Sequence, residues 1–152
     1  MADSKAIVIA LSAVAAVGAI LGLVSIVLDW IVFYGYGFTG WDFIDGALDH
    51  LNGFDKDTYV AYLPMVVPIF AVIGLLGAVV SFLKRGKSGA AMMVVSGLAI
   101  LVATIMFMTY SYTIPFFNET ISFMDYVDVG TYLAVVSGAL LTVGGIGVAI
   151  KN

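Results

Sequence analysis

The residue types best suited to chemistry gather in one short stretch, Asp42-x-x-Asp45-x-x-x-Asp49-His50. Carboxylate oxygens are the ligands that calcium and magnesium prefer. Placed on a helix, Asp42, Asp45 and Asp49 face the same way, while His50 turns toward the side of Phe43. The spacing is not that of a calcium loop. An acidic helix face turned to water accounts for the three carboxylates without a metal. They stand as the metal candidates, and neither a metal nor a cofactor is expected. His50 is the sole histidine and cysteine is absent. That excludes bis-histidine haem, thiolate metal sites, disulfides and cysteine nucleophiles. Asn118-Glu119-Thr120 has the pattern of an N-glycosylation acceptor, which makes Asn118 a candidate for modification. No catalytic constellation emerges, and the chain reads as a protein that is not an enzyme.

These residues sit in a chain dominated by hydrocarbon. Apolar residues make up 62% and charged residues 11%, against roughly 25% charged in an ordinary globular protein. A soluble domain of 152 residues buries only about two-thirds of the surface its unfolded chain exposes. Lipid is therefore expected as solvent and partner. The net charge of −4 argues against nucleic acid.

Four apolar runs, residues 6–28, 62–83, 90–112 and 129–150, carry no Lys, Arg, Asp, Glu or His in their interiors. Each reaches the length of about 20 residues that a helix needs to cross a hydrocarbon core about 30 Å thick. The fold class is an all-α membrane protein of one domain, an antiparallel bundle of four transmembrane helices. Its connections are residues 29–61, 84–89 and 113–128. The first run is too long for a signal peptide and is read as a retained helix. Lys5, Lys84, Arg85, Lys87 and Lys151 all fall on one side of such a bundle, and Lys56 alone on the other. The excess of basic residues marks the cytoplasmic face. A multi-pass protein of the cell membrane with both termini inside is expected.

The two outer connections carry most of the aromatic residues near a boundary. Residues 41–54 read as a short amphipathic helix, with Phe43, Ile44, Ala47, Leu48, Leu51 and Phe54 on its apolar side. Upstream, Tyr34, Tyr36 and Phe38 alternate with small residues as extended chain does. Trp30, Trp41, Tyr110 and their neighbours read as an aromatic belt at the outer boundary. Tyr34, Tyr36, Phe38, Trp41, Phe116 and Phe117 are the candidate interaction residues. Pro64 and Pro68 are placed in the first turns of the second run.

Within the runs, small residues recur at four-residue spacing, among them Gly18/Gly22 and Gly130/Ala134/Gly138. Such seams let helix backbones approach closely in lipid. Packing inside one bundle suffices for most of them, and a self-association seam between copies is the other reading. The runs offer only hydroxyls such as Ser12, Ser96, Ser137 and Thr142 as polar groups, expected to bond back to their own backbone. An ion-driven carrier, which keeps a charged group at mid-membrane, is not expected.

The layout resembles that of claudin-like tetraspan proteins. Trp30 closes the first run, Gly40-Trp41 follows in the longer first outer loop, and a Gly-rich fourth helix ends the chain; the Leu and the two cysteines of the claudin loop are missing here. The chain is also similar to small four-span membrane proteins of archaea and bacteria, on Thr39-Gly-Trp-Asp42 and Gly130-Thr-Tyr-Leu133. The resemblance implies a non-enzymatic scaffold or accessory subunit. It would act by lateral helix packing and outer-loop contacts, as a homo-oligomer or within a larger membrane complex. The alternative is an oligomeric channel or small-solute facilitator. Asp42-x-x-Asp45-Gly46 also opens like the CDP-alcohol phosphotransferase motif. The chain departs from that motif at Asp49-His50 and lacks its second aspartate pair, so no such activity is carried over.

Overall fold

The computed structural model describes residues 2–33, 35–49, 59–83, 87–114 and 119–151. In chain order these form α1 (Ala2–Ser25), β1 (Asp29–Phe33), β2 (Tyr36–Thr39), α2 (Gly40–Asp49), α3 (Tyr59–Leu83) and α4 (Ser88–Met108), followed by β3 (Ser111–Ile114), β4 (Glu119–Ser122), a 3-10 turn at Phe123–Asp125 and α5 (Val129–Lys151).

Among the described residues, four helices, α1, α3, α4 and α5, are long and apolar enough to cross a membrane. A helix satisfies its backbone groups internally, so an apolar sequence of this length can adopt it without help from water. The four pack as a ring in which α1 lies against α5 and α3, and α4 against α3 and α5. Close approaches run in opposite senses along each pair. Gly18 meets Leu140 while Gly144 meets Leu11, and Gly97 meets Gly138 and Thr142 while Gly145 meets Ala90 and Val94. The ring is therefore antiparallel, and it brings exposed Lys5, Lys87 and Lys151 to one end. Lys84 and Arg85 lie outside the described residues, as do His50 and Lys56.

Several boundaries differ from the sequence reading. The first helix ends at Ser25, not at Leu28. Val27 N–H and Leu28 N–H donate to the carbonyls of Val24 and Ser25 at 3.1 and 3.2 Å, the tighter closure of a terminal turn. α3 begins at Tyr59, which puts Pro64 and Pro68 inside the helix rather than in its first turn. Each proline removes one intrahelical donor there. α4 stops at Met108, where a helix to residue 112 was expected.

The C-terminal ends of α1 and α4 give way to strands. β1 and β2 form one antiparallel hairpin, β3 and β4 another. The first connection was read partly as extended chain, and no element was assigned to the second. Both fall in stretches dense in aromatic and β-branched residues (Trp30-Ile-Val-Phe33, Tyr112-Thr-Ile114), which favour the pleated, half-buried surface of a strand. Gly35, at φ +83°, provides the left-handed residue that turns β1 into β2, with Phe33 paired to Tyr36.

Candidate interaction surface

At the end opposite the lysines the bundle is closed by a cap built from both connections. Trp30 is its centre. The β1–β2 register pairs Asp29 with Thr39 and Ile31 with Phe38, so a bulge falls at Trp30. A bulge re-aims the side chain it carries, and Trp30 is fully buried. Its indole Nε1–H donates to the Ser25 carbonyl at 2.9 Å, across the end of α1. The Trp30 carbonyl accepts from the Asp128 N–H at 2.9 Å and from the Thr131 hydroxyl at 2.7 Å. Val32 N–H donates to the Tyr126 carbonyl at 2.9 Å, and Ile31 bridges Val127. These bonds fasten the first connection to the residues that lead into α5.

Phe107 of α4 lies beneath. Its ring meets Trp30 edge-on at 5.1 Å, Phe43 edge-on at 5.1 Å and Phe123 at 5.3 Å. Tyr110 joins through Phe123 at 5.0 Å. Edge-to-face pairs of this kind add about 0.5–1.5 kcal/mol each beyond area burial. Phe43 ties α2 into this cluster. The start of α2 is held by reciprocal bonds, Thr39 N–H to Asp42 Oδ2 at 2.9 Å and Asp42 N–H to Thr39 Oγ1 at 3.1 Å. This is a capping box with aspartate in the third position. The Trp41 N–H donates to the Ile26 carbonyl at 3.0 Å, which seats α2 on the end of α1.

The sequence candidates are placed as follows. Tyr36, Phe38 and Trp41 are 74%, 45% and 58% exposed, on β2 and the first residues of α2. Tyr34, Phe116, Phe117 and Asn118 lie outside the described residues. Asp42 and Asp45 are exposed; Asp49 closes α2, and its side chain is outside the description. Asp42 has a structural task in the helix cap, and the described residues contain no cluster able to hold a metal. Trp30 and Tyr110 were read as belt residues, but both are buried. They form the core of the cap.

Gly18, Gly22, Gly130, Ala134 and Gly138 are all buried. A Cβ on Gly18 would lie 2.7 Å from Leu140 Cβ, one on Gly22 2.5 Å from Ser137 Oγ, and one on Gly138 2.7 Å from Leu101 Cγ. Gly130 admits Trp30, whose Cδ1 would lie 2.6 Å from an added Cβ. These small residues serve contacts inside the chain. The faces turned away from the bundle are large and aliphatic, for example Val17 and Ile20 on α1, Leu76 on α3, Val102 on α4 and Val143 on α5.

The hydroxyls within the helices divide. Buried Ser25 and Thr104 and half-buried Thr142 donate to their own helix carbonyls at 2.6–2.7 Å. Ser12, Ser81, Ser96 and Ser137 have no hydrogen-bond partner among the described residues. Ser137 Oγ and Ser81 Oγ rest against Gly22 and Gly89 of neighbouring helices, in space that a Cβ on either glycine would take.

The Trp30 cluster escaped the sequence reading. Its signal is weak there, a Trp followed by β-branched residues and a glycine in the first turn of α5, because its members are 101 residues apart at Thr131 and Trp30. No protein-family model, curated protein or solved structure matches the chain.

Proposed function

We propose that the chain is a non-enzymatic membrane scaffold or accessory subunit. It lies in the cell membrane with both termini in the cytoplasm and the Trp30 cap outside. The observation that carries this reading is the cap itself. Both connections are fastened together around a buried tryptophan, which makes a fixed, shaped surface. The four apolar helices support the membrane setting, and the lysines gathered at the opposite end support the orientation. Association with a second copy or a larger complex then uses the cap and the aliphatic outer faces of the helices, since the small-residue seams already serve the bundle.

The test is the mass of the protein purified in mild detergent, together with cross-linking in membranes from a single cysteine at the exposed Asp125. An oligomer or a stoichiometric co-purifying subunit, cross-linked through Asp125→Cys, is the expected result. A strictly monomeric protein without cross-links overturns the reading. The alternative, an oligomeric channel or small-solute facilitator, is favoured by the unpartnered hydroxyls of Ser12, Ser96 and Ser137. They lie inside a single bundle, not on an outer face that copies would share. Solute flux into liposomes separates the two readings.

A further inference from the structure

We propose that Tyr36, Phe38 and Trp41 form a docking edge that seats the cap in the headgroup layer of a lipid bilayer. The inference rests on the membrane setting proposed above and names what this part of the cap touches.

Depth is the first argument. The apolar part of α1, Lys5–Ser25, has 21 residues. At 1.5 Å per residue it extends about 30 Å, the thickness of a hydrocarbon core. Its end at Ser25 therefore marks the edge of the hydrocarbon. Trp41 is tied by its own N–H to the Ile26 carbonyl, the next residue along. The Trp41 backbone is thereby fixed at the boundary, one residue beyond the helix.

Residue chemistry is the second. Trp and Tyr join an apolar ring to a polar atom and concentrate where hydrocarbon meets water. Trp30, Phe107 and Tyr110 are buried and form a plug at the core of the cap, whereas Tyr36, Phe38 and Trp41 stay exposed although the plug is close by. Phe38 meets Phe43 at 6.4 Å between ring centres. Tyr132, 54% exposed in the first turn of α5, lies near the same boundary on another helix.

Charge selects the lipid. Asp45 shares a helix face with Trp41, four residues on, and Asp42 is exposed beside it. These carboxylates disfavour an anionic surface, so the edge suits zwitterionic lipid. The contact depends on burying rings and not on counter-charge. Raising the salt concentration leaves it in place.

The chain has two tryptophans, and only one of them is exposed. The full chain is reconstituted in phosphatidylcholine vesicles whose acyl chains carry bromine either near the carbonyl or near the methyl end. Emission is compared between the unmodified protein and Trp41→Phe. The expected result is quenching by the shallow bromines that exceeds quenching by the deep ones and is lost in Trp41→Phe. Shielded Trp30 remains as the internal reference. If Trp41 is quenched by aqueous iodide and not by shallow bromine, the edge lies in water. If neither quencher reaches it, protein covers it. Either outcome overturns the proposal. A control separates this failure from failure of the membrane setting. Val143, 62% exposed on α5, is replaced by Trp in the Trp41→Phe chain. Quenching of Val143→Trp by the deep bromines keeps the bundle in the bilayer whatever Trp41 does, and its absence removes the membrane setting altogether.

Discussion

Trp30 shows how one side chain can organise two distant connections. Replacing it with Ala removes a fully buried ring together with its bond to the Ser25 carbonyl. A loss of about 3–5 kcal/mol is expected for such a cavity, seen as a lowered midpoint of thermal unfolding in detergent. The buried hydroxyls offer a sharper contrast. Thr131→Val deletes a donor to the Trp30 carbonyl, which keeps the Asp128 N–H. That change is expected to cost about 1 kcal/mol. Ser96→Ala removes a hydroxyl with no partner among the described residues, and it is expected to be neutral or slightly stabilising, because a buried unpaired polar group is itself a cost. The same unfolding measurement ranks the two. If Ser96→Ala is the more damaging, the Ser96 hydroxyl has a bond that the packing here does not provide. These distinctions cannot be drawn from residue type. Ser25 and Ser96 look alike in the sequence, yet one donates to its own helix and the other does not.

The hairpins and α2 depend on a few local devices. Gly35 takes a left-handed conformation at φ +83°, which a residue with Cβ adopts at a cost of about 1–2 kcal/mol. Gly35→Val is therefore expected to loosen the β1–β2 hairpin, read as faster amide exchange at Val32, whose bond to the Tyr126 carbonyl fastens it to the rest of the cap. Thr39 and Asp42 hold the start of α2 between them. Thr39→Ala should weaken that start by about 1 kcal/mol, with proteolysis near Trp41 rising while the four long helices stay protected. The sequence shows the Thr39 and Asp42 pair at the right spacing, and it shows the amphipathic pattern of residues 41–54. Of that pattern α2 accounts for the part to Asp49, and the remainder, with Leu51 and Phe54, lies outside the described residues. The hairpins are less legible because apolar residues run on past both helix ends, through Ile26-Val-Leu28 after α1 and Tyr112-Thr-Ile114 after α4. The terminal bonds at Val27 and Leu28 close α1 at Ser25, ahead of Asp29 at the start of β1.

For the molecule as a whole, the lack of cysteine makes the proposed orientation directly measurable. Single cysteines at the exposed positions Asp45 and Lys87, at opposite ends of the bundle, are offered to a membrane-impermeant maleimide. Asp45→Cys is expected to label in intact cells, and Lys87→Cys only after permeabilisation. The reverse pattern would invert the proposed topology. Both helix ends must also be held in one ring, and here the glycines matter. Gly22 faces Ser137 and Gly97 faces Thr142 across two different seams, so Gly97→Val is expected to prise α4 from α5 and to reduce the yield of folded protein.

The number and order of the four apolar helices are legible in the sequence, whereas the ends of α1, α3 and α4 are not. An uncharged stretch of about 20 residues has few alternatives to a helix once lipid is the solvent. The gathering of Lys5, Lys87 and Lys151 at one end follows from the same count. Tertiary structure alone decided which small residues meet which neighbours, which aromatics are plug and which are edge, and that Trp30 is the centre of the cap. Contacts such as Trp30 with Thr131 join residues 101 apart in the chain. In a chain this apolar, hydrophobicity no longer distinguishes inside from outside. The buried face of each helix is chosen by shape, and shape exists only when the partner helix is in place.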